Sequence, residues 1–250
     1  MSHDILRRAP SPTQDPLYQG YRREIGRRAM AESGVIKREL ERAKQQVEYL
    51  EFVLKHDHLT NVLNRHGVLE VAEQKITTKY PVPFGLMAFD LDAFKKVNDT
   101  MGHDYGDEVL ITVGGRLRQV FSRGSDSILY HDRLKERPEL GAGDSEIARM
   151  GGDEFLGFID ARAGENYDFE TPEGRQEWKE DTTLRVRTAL DPVFSSLPKE
   201  VQELGVGASM GLALWIPGEM DGTWQEQFSV LAREADHAAM ADKRSRGAER

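Results

Sequence analysis

The amino-acid sequence predicts an α+β fold in which helices pack on a central, mostly antiparallel sheet. Apolar stretches at residues 84–89 and 206–215 are typical of buried strands, and residues 147–159 have the pattern of a β-hairpin. The segments between them show the helical spacing of apolar residues. The predicted order is therefore helix, strand, helix, helix, hairpin, helix, strand, helix, which favours helices layered on one sheet.

A long helix is predicted ahead of this domain. Residues 17–56 contain no proline, and from residue 36 onward apolar side chains recur at spacings of four and three. This heptad seam is typical of a coiled coil of about three repeats. Its members are Ile36, Leu40, Ala43, Val47, Leu50 and Leu54. Two interpretations are open: a dimerising coiled coil, and an amphipathic helix that packs on its own domain. Residues 1–16 hold three prolines and few apolar side chains, so we expect them to be disordered.

From Asp57 to residue 250 the patterns predict one compact domain. Its expected elements are a helix at 59–76, a strand at 84–89, a short helix at 92–99, a turn bracketed by Gly102 and Gly106, a helix at 109–121, the hairpin at 147–159, a helix at 184–194, a strand at 206–215 and a last helix at 228–243. Two polar segments, 122–146 and 160–181, are expected to be loop-like insertions, the second of them acidic. Each is either a partner surface or a solvated loop.

The composition indicates a globular protein and excludes several classes of site. The 250 residues have a net charge of −9, so no basic surface favours a nucleic-acid partner. Cysteine is absent, which excludes disulfides and cysteine-bound zinc. No apolar run is long enough to span a membrane, and no apolar stretch follows Arg7 and Arg8 as a secretory signal would require. We therefore expect a cytoplasmic protein without a membrane span.

The most informative segment is the predicted hairpin turn, Gly151-Gly152-Asp153-Glu154-Phe155. Glycine adopts the left-handed conformations of tight turns and lets a ligand approach the main chain closely. Two carboxylates on a turn suit a metal ion better than a core, although most acidic turns are only solvated. A second acidic element is needed to favour a site.

That second element lies at the end of the predicted strand 84–89. Asp90 follows this strand directly, and Asp92 stands where it would either cap the next helix or join the site. If strand and hairpin are neighbours, Asp90 and Asp153 converge. Two or three carboxylates, with the Leu91 carbonyl as a further oxygen, suit Mg²⁺, which usually shares its shell with substrate phosphates. Such a metal would polarise a phosphoryl group and lower the pKa of an attacking hydroxyl.

Four blocks of the sequence together resemble the diguanylate cyclase family, whose signature is Gly-Gly-Asp/Glu-Glu-Phe. The blocks are residues 57–65, 89–110, 148–155 and 206–214, the last with the final helix through Lys243. The resemblance extends over about residues 56–247. It implies a palm-like fold, related to nucleotidyl cyclases and polymerases, that condenses two GTP molecules into cyclic di-GMP and pyrophosphate.

The resemblance also implies the catalytic roles. Asp90, the Leu91 carbonyl and Asp153 would bind Mg²⁺, with Mn²⁺ as the alternative ion. Asp153 would help to deprotonate the attacking ribose 3′-hydroxyl, and Glu154 would share the metal. Lys95 would stabilise charge in the transition state.

Other residues are implied to bind the substrate. Asn98 and Asp107 would recognise guanine, since a carboxylate accepts from its N1–H and amino group and an amide suits the base edge. Aspartate at 107, where relatives that make mixed cyclic dinucleotides have serine, favours cyclic di-GMP. His103 would contact the nucleoside, or would be only a turn histidine bonded to the backbone. The residues implied to surround the phosphates are Phe94, Gly151, Gly152, Lys243 and Arg246.

Two departures from the family pattern change these expectations. Arg246 stands one residue early in the last helix, and its alternative role is a basic helix end favoured by the helix dipole. The arginine and aspartate of the family's inhibitory product site are replaced by Ala142 and Ser145. We therefore expect that inhibitory site to be absent.

The expected partners are GTP and a second copy of the chain. Each domain would hold one GTP, so two domains must face each other to close the ring, and the heptad seam would supply the dimer. A protein partner at the N-terminus or at the two polar segments is a further expectation. The alternative function is a catalytically silent GTP-binding domain that acts as a signalling scaffold.

Overall fold

The computed structural model describes residues 16–121, 146–161 and 167–247. The chain divides into two units, one ending at Phe52 and one beginning at Val53. The helices are α1 Pro16–Lys55, α2 Arg65–Thr77, α3 Phe94–Met101, α4 His103–Val120, α5 Pro172–Ser195, α6 Lys199–Gln202 and α7 Trp224–Ser245. The strands are β1 Phe84–Asp92, β2 Ile147–Gly151, β3 Glu154–Asp160 and β4 Gly207–Trp215. None of the helices in these ranges has the length and apolar character needed to cross a membrane.

In the first unit, helix α1 confirms the predicted long helix and leaves its apolar seam exposed. The side chains of Ile36, Leu40, Val47 and Leu50 are between 51% and 65% exposed. Covering apolar surface stabilises a protein by about 25 cal/mol per Å², so such a seam favours a partner surface. The coiled coil itself stays a prediction.

The second unit is built on a four-stranded sheet in the order β2-β3-β1-β4. All of its strand pairs are antiparallel. Strand β1 pairs with β3 on one edge and with β4 on the other, which places Asp90 opposite Glu154 and opposite Ser209. The predicted α+β fold with a mostly antiparallel sheet is confirmed.

Alternate residues of β1 enter two separate cores, because successive side chains of a strand point to opposite faces. Met87 and Phe89 belong to the core that includes α3, α4 and α5. Leu86 and Ala88 belong to the core that includes α2 and α7. Asp90 continues the second series, and its side chain contacts α7.

Helix α7 lies against β4 with almost no space between their backbones. A Cβ atom on Gly211 would lie 2.1 Å from the carbonyl oxygen of Ala235 and 2.1 Å from the nitrogen of Ala239. Only glycine on the strand and small residues on the helix permit this approach. The close contact fixes the position of the C-terminal half of α7 relative to the end of β1.

The predicted helix at 59–76 begins later than expected, at Arg65. Asn64 caps α2, its side chain accepting hydrogen bonds from the main-chain N–H groups of His66 and Gly67. Leu63, just before this cap, is hydrogen-bonded to the main chain of β2 instead. The N–H of Leu63 donates to the carbonyl of Ile147 over 2.9 Å, and a second bond of 2.8 Å returns from the Arg149 N–H to the Leu63 carbonyl.

Other boundaries also differ from the prediction. Residues 172–181 are helical rather than loop-like, because Thr171 caps α5, Pro172 starts it and Trp178 is buried in the core. Of the two glycines that were expected to bracket a turn, Gly106 lies inside α4 instead, and only Gly102 has a positive φ, of 88°. The short helix α6 was not predicted.

Some predictions fall outside the described residues. These are the disordered segment through residue 15, the insertion from 122 to 145 and the positions Ala142 and Ser145. The two ends of the insertion meet: the Glu146 N–H donates to the Phe121 carbonyl over 3.1 Å. The chain therefore leaves and rejoins the fold at one place.

An ion pair connects the segment before α2 to the turn between β2 and β3. The Arg149 guanidinium contacts Asp57 Oδ1 at 3.2 Å and donates through Nε to the Gly152 carbonyl at 2.8 Å. Thr60 donates to the same Asp57 oxygen through its N–H and its hydroxyl. Burial alone would raise the pKa of Asp57, but the Thr60 hydrogen bonds and the Arg149 charge outweigh it and hold the pKa below its ordinary value of 3.8.

We expect Asp57→Asn to lower the free energy of unfolding by about 1–3 kcal/mol at neutral pH, since it removes charge-assisted hydrogen bonds. A lowered folded pKa means that this stabilisation is present above pH 3.8 and is lost as the pH falls further. The difference between wild type and variant should therefore shrink in acid. Urea unfolding of both proteins over this pH range measures it.

The exposed Asp191 offers a matched control, since Asp191→Asn removes one carboxylate from the surface of α5. This control should behave as the wild type at every pH. A destabilisation by Asp57→Asn that is equal at neutral and acid pH would contradict the ion pair.

Candidate active site

An open cleft of about 720 Å³ lies at the end of β1, beside the start of α3 and the last turns of α7. Its lining combines acids and cations. The acids are Asp90, Asp99, Glu154 and Asp236, and the cations are Lys95, Lys96 and Lys243. A cleft with both signs of charge can bind a metal ion and phosphate groups together.

Asp90 and Lys243 form an ion pair at the base of the cleft. Burial alone would lower the pKa of Lys243, but the hydrogen bond to Asp90 and the charges of Asp90, Asp92 and Asp153 outweigh it and raise the pKa. Lys243 is therefore fully protonated at neutral pH. It is held at the strand end by the carboxylate that the sequence predicts to bind metal.

The turn between β2 and β3 presents Asp153 and Glu154 to the same region. Gly152 has a φ of 53°, a left-handed conformation that glycine adopts without strain, so the two-residue turn Gly152-Asp153 joins the strands tightly. The Leu91 N–H donates to the Asp153 carbonyl over 3.3 Å and ties the turn to β1. The predicted hairpin and its approach to Asp90 are thus present in the fold.

The two acids at the turn have raised pKa values, and burial is the largest cause for both. For Asp153, burial and the charge of Asp90 together outweigh the hydrogen bond from its own backbone N–H and the charges of Lys243 and Arg149. Burial also raises the pKa of Glu154, as do the charges of Asp153, Asp90 and Asp236. A bound cation would relieve this repulsion.

The residues present fit a hard divalent cation such as Mg²⁺. Asp90 and Asp153 would supply carboxylate oxygens, and Leu91 would supply a main-chain carbonyl. Within the described ranges no three His, Asp or Glu side chains form a complete metal cage. Mg²⁺ does not require one, because water and substrate phosphates usually complete its shell.

Helix α3 begins beside the cleft with an unusual backbone. Ala93 has a φ of 58°, and among the described residues no side chain caps the N-terminus of α3. A left-handed alanine is a strained conformation that often marks a functional site. Ala93 and Lys95 line the cleft, whereas the Phe94 side chain between them is buried in the core. The segment predicted to bind phosphate therefore borders the cleft with its main chain at Ala93 and with Lys95, and not with the Phe94 side chain.

The residues predicted to recognise the base lie further along the chain, at the junction of α3 and α4. They are not part of the cleft lining. Asn98 is partly buried in the second turn of α3, directly before Asp99, while His103 and Asp107 are exposed in the first turns of α4. The structure thus leaves the three predicted base-binding residues outside the lining of the cleft.

Arg246 does not line the cleft. Its Nη1 lies 3.2 Å from Oδ2 of Asp92, which is 1% exposed, and also donates to the Ala208 carbonyl. Asp92 is further bound by the Ser209 hydroxyl at 2.6 Å. Neither of the roles considered for Asp92, helix cap or metal ligand, matches this buried pairing with Arg246.

Sequence reasoning missed part of the cleft wall. Asp236, Ala239 and Met240 line it from α7 together with Lys243. The spacings of three, four and seven place these residues on one helix face, so the pattern was available in the sequence. Lys96 and Asp99 were missed in the same way on α3.

Comparison with known proteins identifies the family of this domain. Residues 54–132 match the family model described as diguanylate cyclase, GGDEF domain. MucR of Pseudomonas aeruginosa, a bifunctional diguanylate cyclase/cyclic di-GMP phosphodiesterase, is 30% identical over 216 residues, which are 85% of this chain and 25% of MucR. The diguanylate cyclase DosC of Escherichia coli is 28% identical over 169 residues, which are 65% of this chain and 30% of DosC. The chain therefore spans about a quarter to a third of the length of these curated relatives.

A solved structure has the same fold. The coiled coil and GGDEF domain of DgcB from Caulobacter crescentus, crystallised with c-di-GMP, superposes with a TM-score of 0.56 at 22% identity. The match covers 87% of this chain and 95% of that one. Together with the hairpin motif at the end of β1, these likenesses show that the chain contains a GGDEF domain of the diguanylate cyclase family.

Proposed function

We propose that the domain is an active diguanylate cyclase, which joins two GTP molecules into cyclic di-GMP and releases two pyrophosphates. The observation that supports this most directly is the convergence of Asp90, Asp153 and Glu154 with Lys243 at one end of the sheet. A silent scaffold would have no need to keep three carboxylates in mutual repulsion.

In this proposal Asp153 accepts the proton of the attacking ribose 3′-hydroxyl. A carboxylate at the turn can act as a general base when the hydroxyl lies within hydrogen-bond reach of it. Bound Mg²⁺, held by Asp90, the Leu91 carbonyl and Asp153, would polarise the α-phosphate and acidify the hydroxyl. Glu154 shares the negative field that retains the ion.

The phosphates lie between two cationic walls. Lys95 extends from the first turn of α3, and Lys243 from the last turns of α7. The uncapped N-terminus of α3 adds main-chain N–H groups that suit phosphate oxygens. Lys95 neutralises charge that develops on the leaving pyrophosphate.

Guanine is recognised at the α3–α4 junction. Asp107 accepts from the N1–H and amino group of the base, and the Asn98 amide binds its opposite polar edge. Exposed His103 lies at the same junction, where it contacts the nucleoside. In this proposal Lys95 contacts the phosphates and Asn98, one helical turn later on α3, contacts the base.

The proposal is tested by incubating the purified chain with GTP and Mg²⁺ and identifying the product by mass. We expect cyclic di-GMP from the wild type. Asp153→Asn should lower the rate by about 100-fold or more, since a general base contributes at least this factor. The variant should still bind GTP.

The Asp191→Asn variant, which changes an exposed position of α5, is again the matched control and should retain the wild-type rate. Unimpaired turnover by Asp153→Asn would refute the assignment. A wild-type chain that binds GTP and yields no dinucleotide would establish the silent scaffold instead.

We further propose that a second copy covers the apolar seam of α1, because ring closure needs two GTP-loaded domains. Val47→Glu should weaken the dimer, since it places a charge in the seam, and should make specific activity depend on protein concentration. Gln45→Glu puts the same charge on the other face of the helix and is the control. Sedimentation velocity and rates measured over a concentration series give both readouts.

A Val47→Glu protein that stays dimeric at all concentrations would contradict this role of the seam. A wild-type chain that is monomeric yet equally active at every concentration would also contradict it.

A further inference from the structure

Gly106, in the first turns of α4, is in unusually close contact with Asn98. A Cβ atom at position 106 would lie 1.9 Å from Asn98 Oδ1 and 3.0 Å from its Cγ. Real Cβ atoms essentially never approach another heavy atom more closely than 3.0 Å. Any residue other than glycine would therefore displace the Asn98 carboxamide from its place.

The backbone offers no other reason for glycine at this position. Gly106 lies within the helix, and its φ is not positive. Glycine forms helices less well than alanine, so α4 loses stability by having it there. What the missing side chain provides is room for the end of Asn98.

The clash in an alanine variant would fall on side chains. The nearest atoms are the terminal oxygen of Asn98, its Cγ, and a ring atom of Phe94 at 3.3 Å. A terminal carboxamide moves by rotation about its own side-chain bonds, whereas a backbone atom cannot move so cheaply. The fold should tolerate alanine while the orientation of Asn98 is lost.

We propose that Gly106 is a positioning residue for base selection. Because it has no side chain, it leaves room for the Asn98 carboxamide, and it stands directly before Asp107 in the chain. This inference rests on the proposed guanine role of Asn98 and Asp107. The N1–H and amino group of guanine form a pair of donors for the Asp107 carboxylate that adenine lacks, so only guanine is held where its other polar edge also meets the Asn98 amide. Rotating the amide away should therefore weaken binding of guanine nucleotides and leave adenine nucleotides unaffected.

Three glycines of the same helix make a matched series. At Gly115 a Cβ would meet nothing within 4 Å, so Gly115→Ala is the neutral control. At Gly114 a Cβ would lie 2.9 Å from the Cβ of Thr60, so Gly114→Ala is a packing clash away from Asn98. Gly106→Ala alone should alter the base preference.

The test measures the affinities of GTP and ATP analogues with a methylene group between the α- and β-phosphates, in Mg²⁺, beside the melting temperature of each variant. Gly106→Ala should bind the GTP analogue about tenfold more weakly, the value of one lost hydrogen bond, with unchanged ATP-analogue binding and no loss of melting temperature. Gly114→Ala should lower the melting temperature and keep the wild-type ratio of affinities. Gly115→Ala should keep both.

A double variant separates positioning from a general structural effect. Asn98→Ala should lose the same selectivity as Gly106→Ala, and adding Gly106→Ala to it should cost nothing further, because the two residues act through one contact. A full additional loss in the double variant would overturn the inference. So would a Gly106→Ala protein with the wild-type ratio, or one that loses both analogues equally.

These outcomes are distinguishable from failure of the proposed function. A wild-type chain that shows no preference for the GTP analogue would overturn the guanine role itself, and this inference with it. A selective wild type beside an equally selective Gly106→Ala would overturn this inference alone.

Discussion

The concentration of negative charge at the end of β1 is the constraint on which the rest of the site depends. Asp90 and Asp92 lie on the same face of the strand, and Glu154 stands opposite Asp90 on β3. Neighbouring carboxylates repel one another unless cations neutralise them. Helix α7 supplies those cations, Lys243 to Asp90 and Arg246 to Asp92. The last helix is therefore as much a part of the site as the hairpin that holds the signature motif.

Helix α7 can supply these cations only because its final turns are held against the sheet. The absence of a side chain at Gly211 lets the helix backbone approach β4 directly. Beyond that contact, Asp242 accepts from the Met210 N–H at 2.9 Å and from Arg187 of α5 at 2.8 Å. Lys243 is the next residue. The packing at Gly211 and the hydrogen bonds of Asp242 together determine the position from which the Lys243 side chain extends to Asp90.

Local patterns predicted most of this arrangement, and long-range contacts account for what they missed. The apolar strand that leads to Asp90 and the hairpin turn follow from apolar spacing and glycines, which act within a few residues, although β1 continues to Asp92 rather than ending at residue 89. The ion pair of Asp57 with Arg149 joins residues 92 positions apart, and no local pattern indicates it. The early start of α5 was missed for a similar reason, since its polar first turns are fixed by burial of Trp178 in a distant core.

The eight residues of α3 connect the two ends of the proposed substrate. Its first turn borders the cleft through Lys95, and Asn98 in its second turn rests against Gly106. Lys95 and Asn98 are three residues apart on α3, so at about 1.5 Å of rise per residue about 4.5 Å of helix separates the proposed phosphate contact from the proposed base contact. In the proposed function the base is selected by contacts between α3 and α4, and the reacting groups are held by β1, the hairpin and α7. Because these are different contacts, base preference can change through residues such as Gly106 while the charge balance of the reacting end is preserved.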